Sequence, residues 1–128
     1  MTNSDQTDTF RIGPNLPADV GMSIEEVQTP ALIIDLDIFE KNVARMREYA
    51  EQAGIRLRPH SKTHKSVDIA RYQISQGGAQ GICCQKVSEA EVMVNGGIKD
   101  ILVSNQIADP YKIRCLARLS KFARILVC

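Results

Sequence analysis

The chain has 128 residues, 44% of them hydrophobic, and a formal charge of +1 from 16 basic and 15 acidic side chains. That is enough apolar material for one compact domain but short for a complete multi-layered enzyme. The balanced charge leaves no net field to draw nucleic acid or a membrane surface. No run of about 18 apolar residues offers a membrane span, and the start lacks the basic and apolar regions of a signal peptide.

In chain order, Met1 to Thr9 is polar and rich in Thr, Ser and Asp, and reads as a disordered leader. Residues 10–28 are loop-like, punctuated by Gly13-Pro14, Leu16-Pro17 and Gly21. Thr29-Pro30 opens a regular pattern, in which Ala31-Leu32-Ile33-Ile34-Asp35 is apolar, β-branched and strand-like. The period then changes. Phe39, Val43, Met46 and Ala50 recur at helical spacing, with Asp37 as the expected cap and Gly54 as the stop.

The same unit repeats downstream. A strand is expected over 55–60, a helix from Ser66 or Asp68 with Val67, Ile69, Ala70 and Ile74 inward, and a stop at Gly77-Gly78. A strand over 80–84 leads to a helix over 88–95 with Ser88 and Glu91 in capping-box spacing, stopped by Gly96-Gly97. A strand over 101–105, a helix opened by Asp109-Pro110 and running to about Ser120, and a strand over 124–128 complete the pattern. Strands alternating with helices every 20–25 residues or so signal βαβ units and a parallel sheet. An apolar strand at the last residues would be an unpaired edge, so the expectation is an incomplete barrel, the N-terminal third of a larger one.

The four cysteines point to a reducing compartment, the cytoplasm. Cys83 and Cys84 are adjacent and would face opposite sides of a strand, so they cannot form an ordinary disulfide, and no CxxC spacing exists for zinc. Cys83, Cys84, Cys115 and Cys128 are all expected to act as small buried hydrophobes.

The most informative stretch is Arg58-Pro59-His60-Ser61-Lys62-Thr63-His64-Lys65. It places a lysine just past the end of a buried strand, a position that faces the catalytic mouth in a β/α barrel. A partly desolvated lysine there, near other cations, can act as a Schiff-base nucleophile. The residues alone leave open a basic loop that merely follows a strand. His60 would share a face with Lys62 if the strand stays regular, and it is read as a supporting residue. His60 and His64 have the HxxxH spacing of a metal pair, but Pro59 and the strand end argue against the helical geometry that spacing needs. Gln85 and Asn105 close the next two strands at the same mouth and could orient a ligand or simply cap loops. Lys86 and Glu89 could be a surface pair. The paired glycines read as helix stops and not as phosphate cradles.

Four segments carry a family resemblance: Thr29 to Asp37, Arg58 to Lys65, Gly81-Ile82-Cys83-Cys84-Gln85-Lys86-Val87-Ser88-Glu89-Ala90-Glu91, and Asp100 to Asn105. Over about residues 27–128 the chain resembles the D-threonine aldolase, 3-hydroxy-D-aspartate aldolase and D-serine dehydratase-like group, whose N-terminal barrel is similar to that of alanine racemase. The 81–91 segment leans towards the aldolases. The implied fold is α/β, the N-terminal part of a pyridoxal-phosphate-binding (β/α)8 barrel of the alanine racemase type. The leader would span residues 1–28 and the partial barrel residues 29–128. The resemblance also implies that strand 31–35 belongs to a C-terminal β-domain, which leaves four barrel strands here.

What the resemblance implies about chemistry follows the same mapping. Lys62 is the expected Schiff-base lysine for pyridoxal phosphate, with His60, Gln85 and Asn105 as cofactor-binding candidates. The activity would be Cα–Cβ cleavage of a D-β-hydroxy amino acid, such as D-threonine or 3-hydroxy-D-aspartate, to glycine and an aldehyde. The alternatives are a dehydratase or a non-catalytic pyridoxal-phosphate-binding protein. A divalent metal is expected on ligands beyond residue 128, and a homodimer is expected of the full-length protein. The 128 residues alone are expected to be inactive.

Overall fold

The computed structural model describes residues 18–128. The expected leader, Gly13-Pro14 and Leu16-Pro17 lie outside the described residues. The chain divides into two compact units, Met1–Ile34 and Asp35–Cys128.

In the first unit a short 3-10 turn, Ile24–Glu26, is held by the Glu26 carboxylate, which accepts the Ser23 N–H at 2.9 Å. The strand expected at Ala31–Asp35 is not formed. Its backbone has no ladder partner among the described residues, and Leu32 and Ile33 are 94% and 57% exposed. A strand's stability comes from pairing across the ladder and from covering one face, and this segment has neither.

The second unit begins with helix α1, Leu36–Gln52. Its cap is Asp35, whose carboxylate accepts the Ile38 N–H at 3.0 Å, and not the expected Asp37. Gly54 follows with φ +64°, a left-handed stop that a β-carbon would strain. Phe39 of α1 meets Tyr72 of helix α2 (Val67–Ser75) with ring centroids 5.2 Å apart. Ser66 caps α2 by accepting the Ile69 N–H.

Strand β1 (Ile82–Cys84), helix α3 (Val87–Asn95), strand β2 (Asp100–Val103), helix α4 (Pro110–Leu119) and strand β3 (Arg124–Val127) then alternate. The strands are parallel in the order β1-β2-β3, with Ile82 opposite Ile101 and Ile101 opposite Ile125. The α3 cap differs from the sequence reading by two residues. Glu89, not Glu91, turns back to accept the N–H groups of Gln85 (2.8 Å) and Lys86 (3.3 Å). Asp109 caps α4 as expected, with Pro110 in the first turn, where its missing N–H costs nothing.

The strand expected over 55–60 is present as an extended segment beside β1, paired only in part. Cys83 N–H donates to Pro59 C=O and Ser61 N–H to Cys83 C=O, both at 2.8 Å, giving a single parallel bridge between His60 and Cys83. Pro59 is the physical reason: it has no N–H to give to the ladder.

One face of the sheet is covered by helices. Ile82, Cys84, Ile101 and Val103 pack with Ala70, Ala90, Met93, Val94, Leu116 and Leu119 into a single core. Each buried Ile or Met there contributes about 1.5–3 kcal/mol of transfer free energy. The alternate residues point to the other face: Cys83, Leu102 and Leu126 in one row, with His60 in register. Parallel strands covered by helices on one side form an arc of the expected barrel, and the row of alternate residues is its inner face. Among the described residues no helix is long and apolar enough to cross a membrane.

Cys83 and Cys84 are buried free thiols, as expected. Cys115 is half-buried and Cys128 exposed, which corrects the expectation that all four would be buried. Cys115 lies on the partly covered side of α4, and Cys128 follows β3, an edge strand of the sheet formed by the described residues.

Candidate active site

The amino end of the inner face is closed by charge. Asp100 accepts from Arg58 Nε at 2.8 Å and Nη2 at 3.1 Å, and from Arg124 Nη1 at 3.1 Å. These side chains come from the 57–60 segment, β2 and β3, so the carboxylate ties β2 to its neighbour β3 and, across β1, to the 57–60 segment. The Arg58 hydrogen bonds hold the Asp100 carboxyl below the usual carboxylate range, aided by the Arg124 charge and opposed by burial. Gly81 lies against this carboxylate. A β-carbon there would run into the Asp100 backbone carbonyl oxygen and come within 2.7 Å of Asp100 Cβ and Oδ1, so only glycine allows the approach.

The carboxyl end is the catalytic side of parallel α/β sheets. Here the chain turns sharply after His60. Ser61 is fully buried, its hydroxyl donating to Cys83 C=O at 3.1 Å, and Lys65 N–H closes a turn onto Ser61 C=O at 2.8 Å. Lys65 sits at φ +52°, which lets the chain leave this turn and enter the cap of α2. Lys62 lies in the turn, exposed, and its amine has no hydrogen-bond or ion-pair partner among the described residues. The partial desolvation expected from sequence is not supplied by the described residues.

Both histidines accept the backbone N–H two residues ahead. His60 Nδ1 takes Lys62 N–H at 3.2 Å, and His64 Nδ1 takes Ser66 N–H at 3.1 Å. His60 points its other nitrogen at Ser104 Oγ, 3.4 Å away. His64 is turned inward towards Gln73, and burial pulls its pKa below the ordinary histidine value, against the opposing effect of the Gln73 and Ser66 contacts. Its Nε2 and Gln73 Oε1 are both buried without a hydrogen-bond partner. The two histidines therefore face different surroundings and form no metal pair. Among the described residues no group of three His, Cys, Asp or Glu side chains is placed to hold an ion.

Gln85 and Asn105 are brought together in the wall of one cavity of about 440 Å³, with Lys86, Gln106, Tyr111 and Lys112. Neither His60 nor Lys62 lines it. A second cavity of about 280 Å³ lies between the Ser61–Lys65 turn and α3, lined by Ser61, Lys65, Lys86 and Glu89 among others. The glycine pairs sit at the opposite end of the sheet as helix stops, with Gly78 and Gly97 at φ +65° and +88°.

Two residues of the inner face were given no role from sequence. Ser104 falls inside the strand expected over 101–105 and Cys83 has the pattern of a core residue, yet Cys83 Sγ donates to Ser104 Oγ at 3.2 Å beside His60. The available signal was alternation. Adjacent cysteines in one strand must divide between its faces, and Ser104 lies two residues beyond the inward Leu102.

The family model for the alanine racemase N-terminal domain matches residues 34–125. The 3-hydroxy-D-aspartate aldolase of Paracoccus denitrificans is 52% identical over 120 residues, covering 93% of this chain and 31% of that protein. The crystal structure of a D-threonine aldolase from Filomicrobium marinum superposes with a TM-score of 0.84 at 50% identity, over 88% of this chain and 30% of that one. The D-threo-3-hydroxyaspartate dehydratase from Delftia sp. HT23 superposes with a TM-score of 0.69 at 40% identity, over 74% of this chain and 24% of that one. The chain thus spans about a third or less of the length of these relatives.

Proposed function

Since the chain belongs to the alanine racemase N-terminal domain family, we propose that it carries the cofactor lysine of a pyridoxal-phosphate lyase acting on D-β-hydroxy amino acids. The observation that carries this reading is the placement of Lys62: an exposed amine, unpaired among the described residues, in the first turn beyond a segment that pairs with β1, at the carboxyl end of a parallel sheet.

The residues present fit the aldehyde end of that cofactor. Lys62 offers a primary amine that no carboxylate in the described residues neutralises, and condensation with an aldehyde needs such an amine free. His60, anchored at both ring nitrogens, fixes the polypeptide on the inner side of that turn. Lys62 can also hold a proton for return to Cα of the substrate. When bound, pyridoxal phosphate supplies an electron sink for the carbanion left at Cα. Gln85 and Asn105 are proposed as neutral hydrogen-bonding groups at the neighbouring strand ends, where the cavity they share would take a polar part of the ligand. The divalent metal implied by the resemblance finds no three-ligand set among the described residues.

Cleavage of Cα–Cβ is favoured over dehydration because the aldolase relatives are the more similar, at 50–52% identity against 40% for the dehydratase. The proposal places the protein in the cytoplasm, in keeping with its free thiols, as part of a homodimer that acts on a small D-amino acid and on neither nucleic acid nor membrane. The 128 residues by themselves are proposed to show little turnover.

The test is attachment. Pyridoxal phosphate added to the chain should give a visible absorbance band, and borohydride reduction followed by peptide mapping should find the adduct on Lys62. An unchanged band in Lys62→Ala, or an adduct on Lys65 or Lys112 with Lys62 unmodified, would remove Lys62 from this role. Product analysis on a full-length homologous enzyme separates the two chemistries: glycine plus an aldehyde for the aldolase, ammonia plus a keto acid for the dehydratase.

A further inference from the structure

Ser104 Oγ is where the polar groups of the inner face converge. Cys83 Sγ lies 3.2 Å from it, His60 Nε2 3.4 Å, and Cys84 C=O 3.4 Å. A hydroxyl has one hydrogen and two lone pairs. Cys84 C=O can only accept, so it takes the hydroxyl hydrogen, beside the Ser104 N–H it already accepts at 2.9 Å. Both lone pairs of Ser104 are then left for the Cys83 S–H and for a hydrogen on His60 Nε2.

The opposite side of the ring gives the same answer independently. His60 Nδ1 faces the Lys62 backbone N–H at 3.2 Å, which can only donate. With the hydrogen on Nδ1, two donors would face each other there, while Ser104 would have to abandon Cys84 to donate to Nε2. Only the neutral Nε2–H ring satisfies every group at once.

We propose that Ser104, supported by Cys83, is a positioning residue for Lys62: it locks His60 as the Nε2–H tautomer, so that His60 Nδ1 holds the Lys62 backbone at the rim of the inner face. The relay runs from Cys83 and Ser104 through the imidazole to the Lys62 amide and touches no reacting atom. It rests on the reading of Lys62 as the cofactor lysine, because that reading is what gives the position of this backbone a catalytic meaning.

The experiment uses the 128-residue chain with 15N-labelled histidine. The wild-type His60 ring is expected to show a protonated Nε2 and an accepting Nδ1. In Ser104→Ala the His60 signals should move towards a mixture of tautomers while those of His64, which has no contact with Ser104, stay in place. Reductive trapping of pyridoxal phosphate on Lys62 should slow about five- to tenfold, the effect of losing one hydrogen bond's worth of positioning. Ser104→Thr keeps the hydroxyl and should restore both readouts. A wild-type His60 with its hydrogen on Nδ1, or a tautomer unmoved by Ser104→Ala, overturns the inference. Should Ser104→Ala not fold, the wild-type tautomer alone decides. Wild-type protein that shows the Nε2–H ring but no trapping at Lys62 refutes the functional reading instead, so the two failures are distinguishable.

Discussion

Replacing Asp100 with asparagine should loosen the sheet more than any other single polar change. The substitution conserves volume but removes the charge that two arginines share. Arg58 and Asp100 have side chains only 18% and 16% exposed, joined by two hydrogen bonds, whereas Arg124 is 59% exposed and contributes one. Breaking a fully buried pair costs about 3–5 kcal/mol and a surface pair about 0–1 kcal/mol. The Arg58 pair lies between those limits, because it sits at the rim of an open face and asparagine keeps one acceptor. The expected loss is therefore about 2 kcal/mol, or roughly 8–16 °C in Tm for a unit of this size.

Thermal unfolding followed by circular dichroism, with Arg58→Gln, Arg124→Gln and the double variants, measures this directly. The cycle should give a coupling of about 1–2 kcal/mol for Asp100 with Arg58 and under about 1 kcal/mol with Arg124. The acid limb supplies a second readout. The folded Asp100 pKa is lowered, so its contribution is present above the unfolded value, near 3.9, and is lost as pH falls through the folded value. Asp100→Asn should flatten stability against pH below about 4 and leave the neutral range parallel to wild type. Equal coupling to both arginines, or an unaltered acid limb, would refute the idea that Arg58 and Asp100 form the main tie across the strands.

Gly81→Ala should destabilise the chain by about 1–3 kcal/mol in urea unfolding, because its β-carbon would run into the Asp100 backbone carbonyl; Asp100→Ala keeps that carbonyl and the Asp100 Cβ, so the double variant should show no relief, and a rescue would refute this origin of the cost. His64 is held with a lowered pKa, so its contribution is intact above its unfolded value, about 6.5, and is lost as pH drops through the folded one. The urea midpoint of wild type should thus decline over that window, and His64→Gln should remove the decline. Light scattering should find the isolated chain in species larger than a monomer, because β3 and the 57–60 segment are open sheet edges and Leu32, Ile33 and Leu36 are exposed; a monodisperse monomer would count against this.

What the sequence disclosed divides along the range of the interactions. Helix ends were legible because their determinants lie within a few residues: Ser66, Asp109-Pro110 and the paired glycines all do what their chemistry predicts. Even there the reading slipped by two residues where acidic groups compete, with Asp35 in place of Asp37 and Glu89 in place of Glu91. Strands were less legible, because a ladder depends on a partner elsewhere in the chain. Ala31–Asp35 has strand composition and no partner among the described residues, whereas the 57–60 segment, interrupted by Pro59, keeps enough bonds to β1 to carry His60 onto the inner face. The face itself was hidden for the same reason. Asp100 and Arg124 each look like an ordinary charge at the start of an apolar run, Arg58 looks like part of a basic loop, and Ser104 looks like an ordinary strand end. Parallel register, propagated through two intervening helices, is what brings Ser104 to His60 across 44 positions of sequence. A local pattern could therefore single out Lys62, but the groups that hold its backbone are defined only once the strands are side by side.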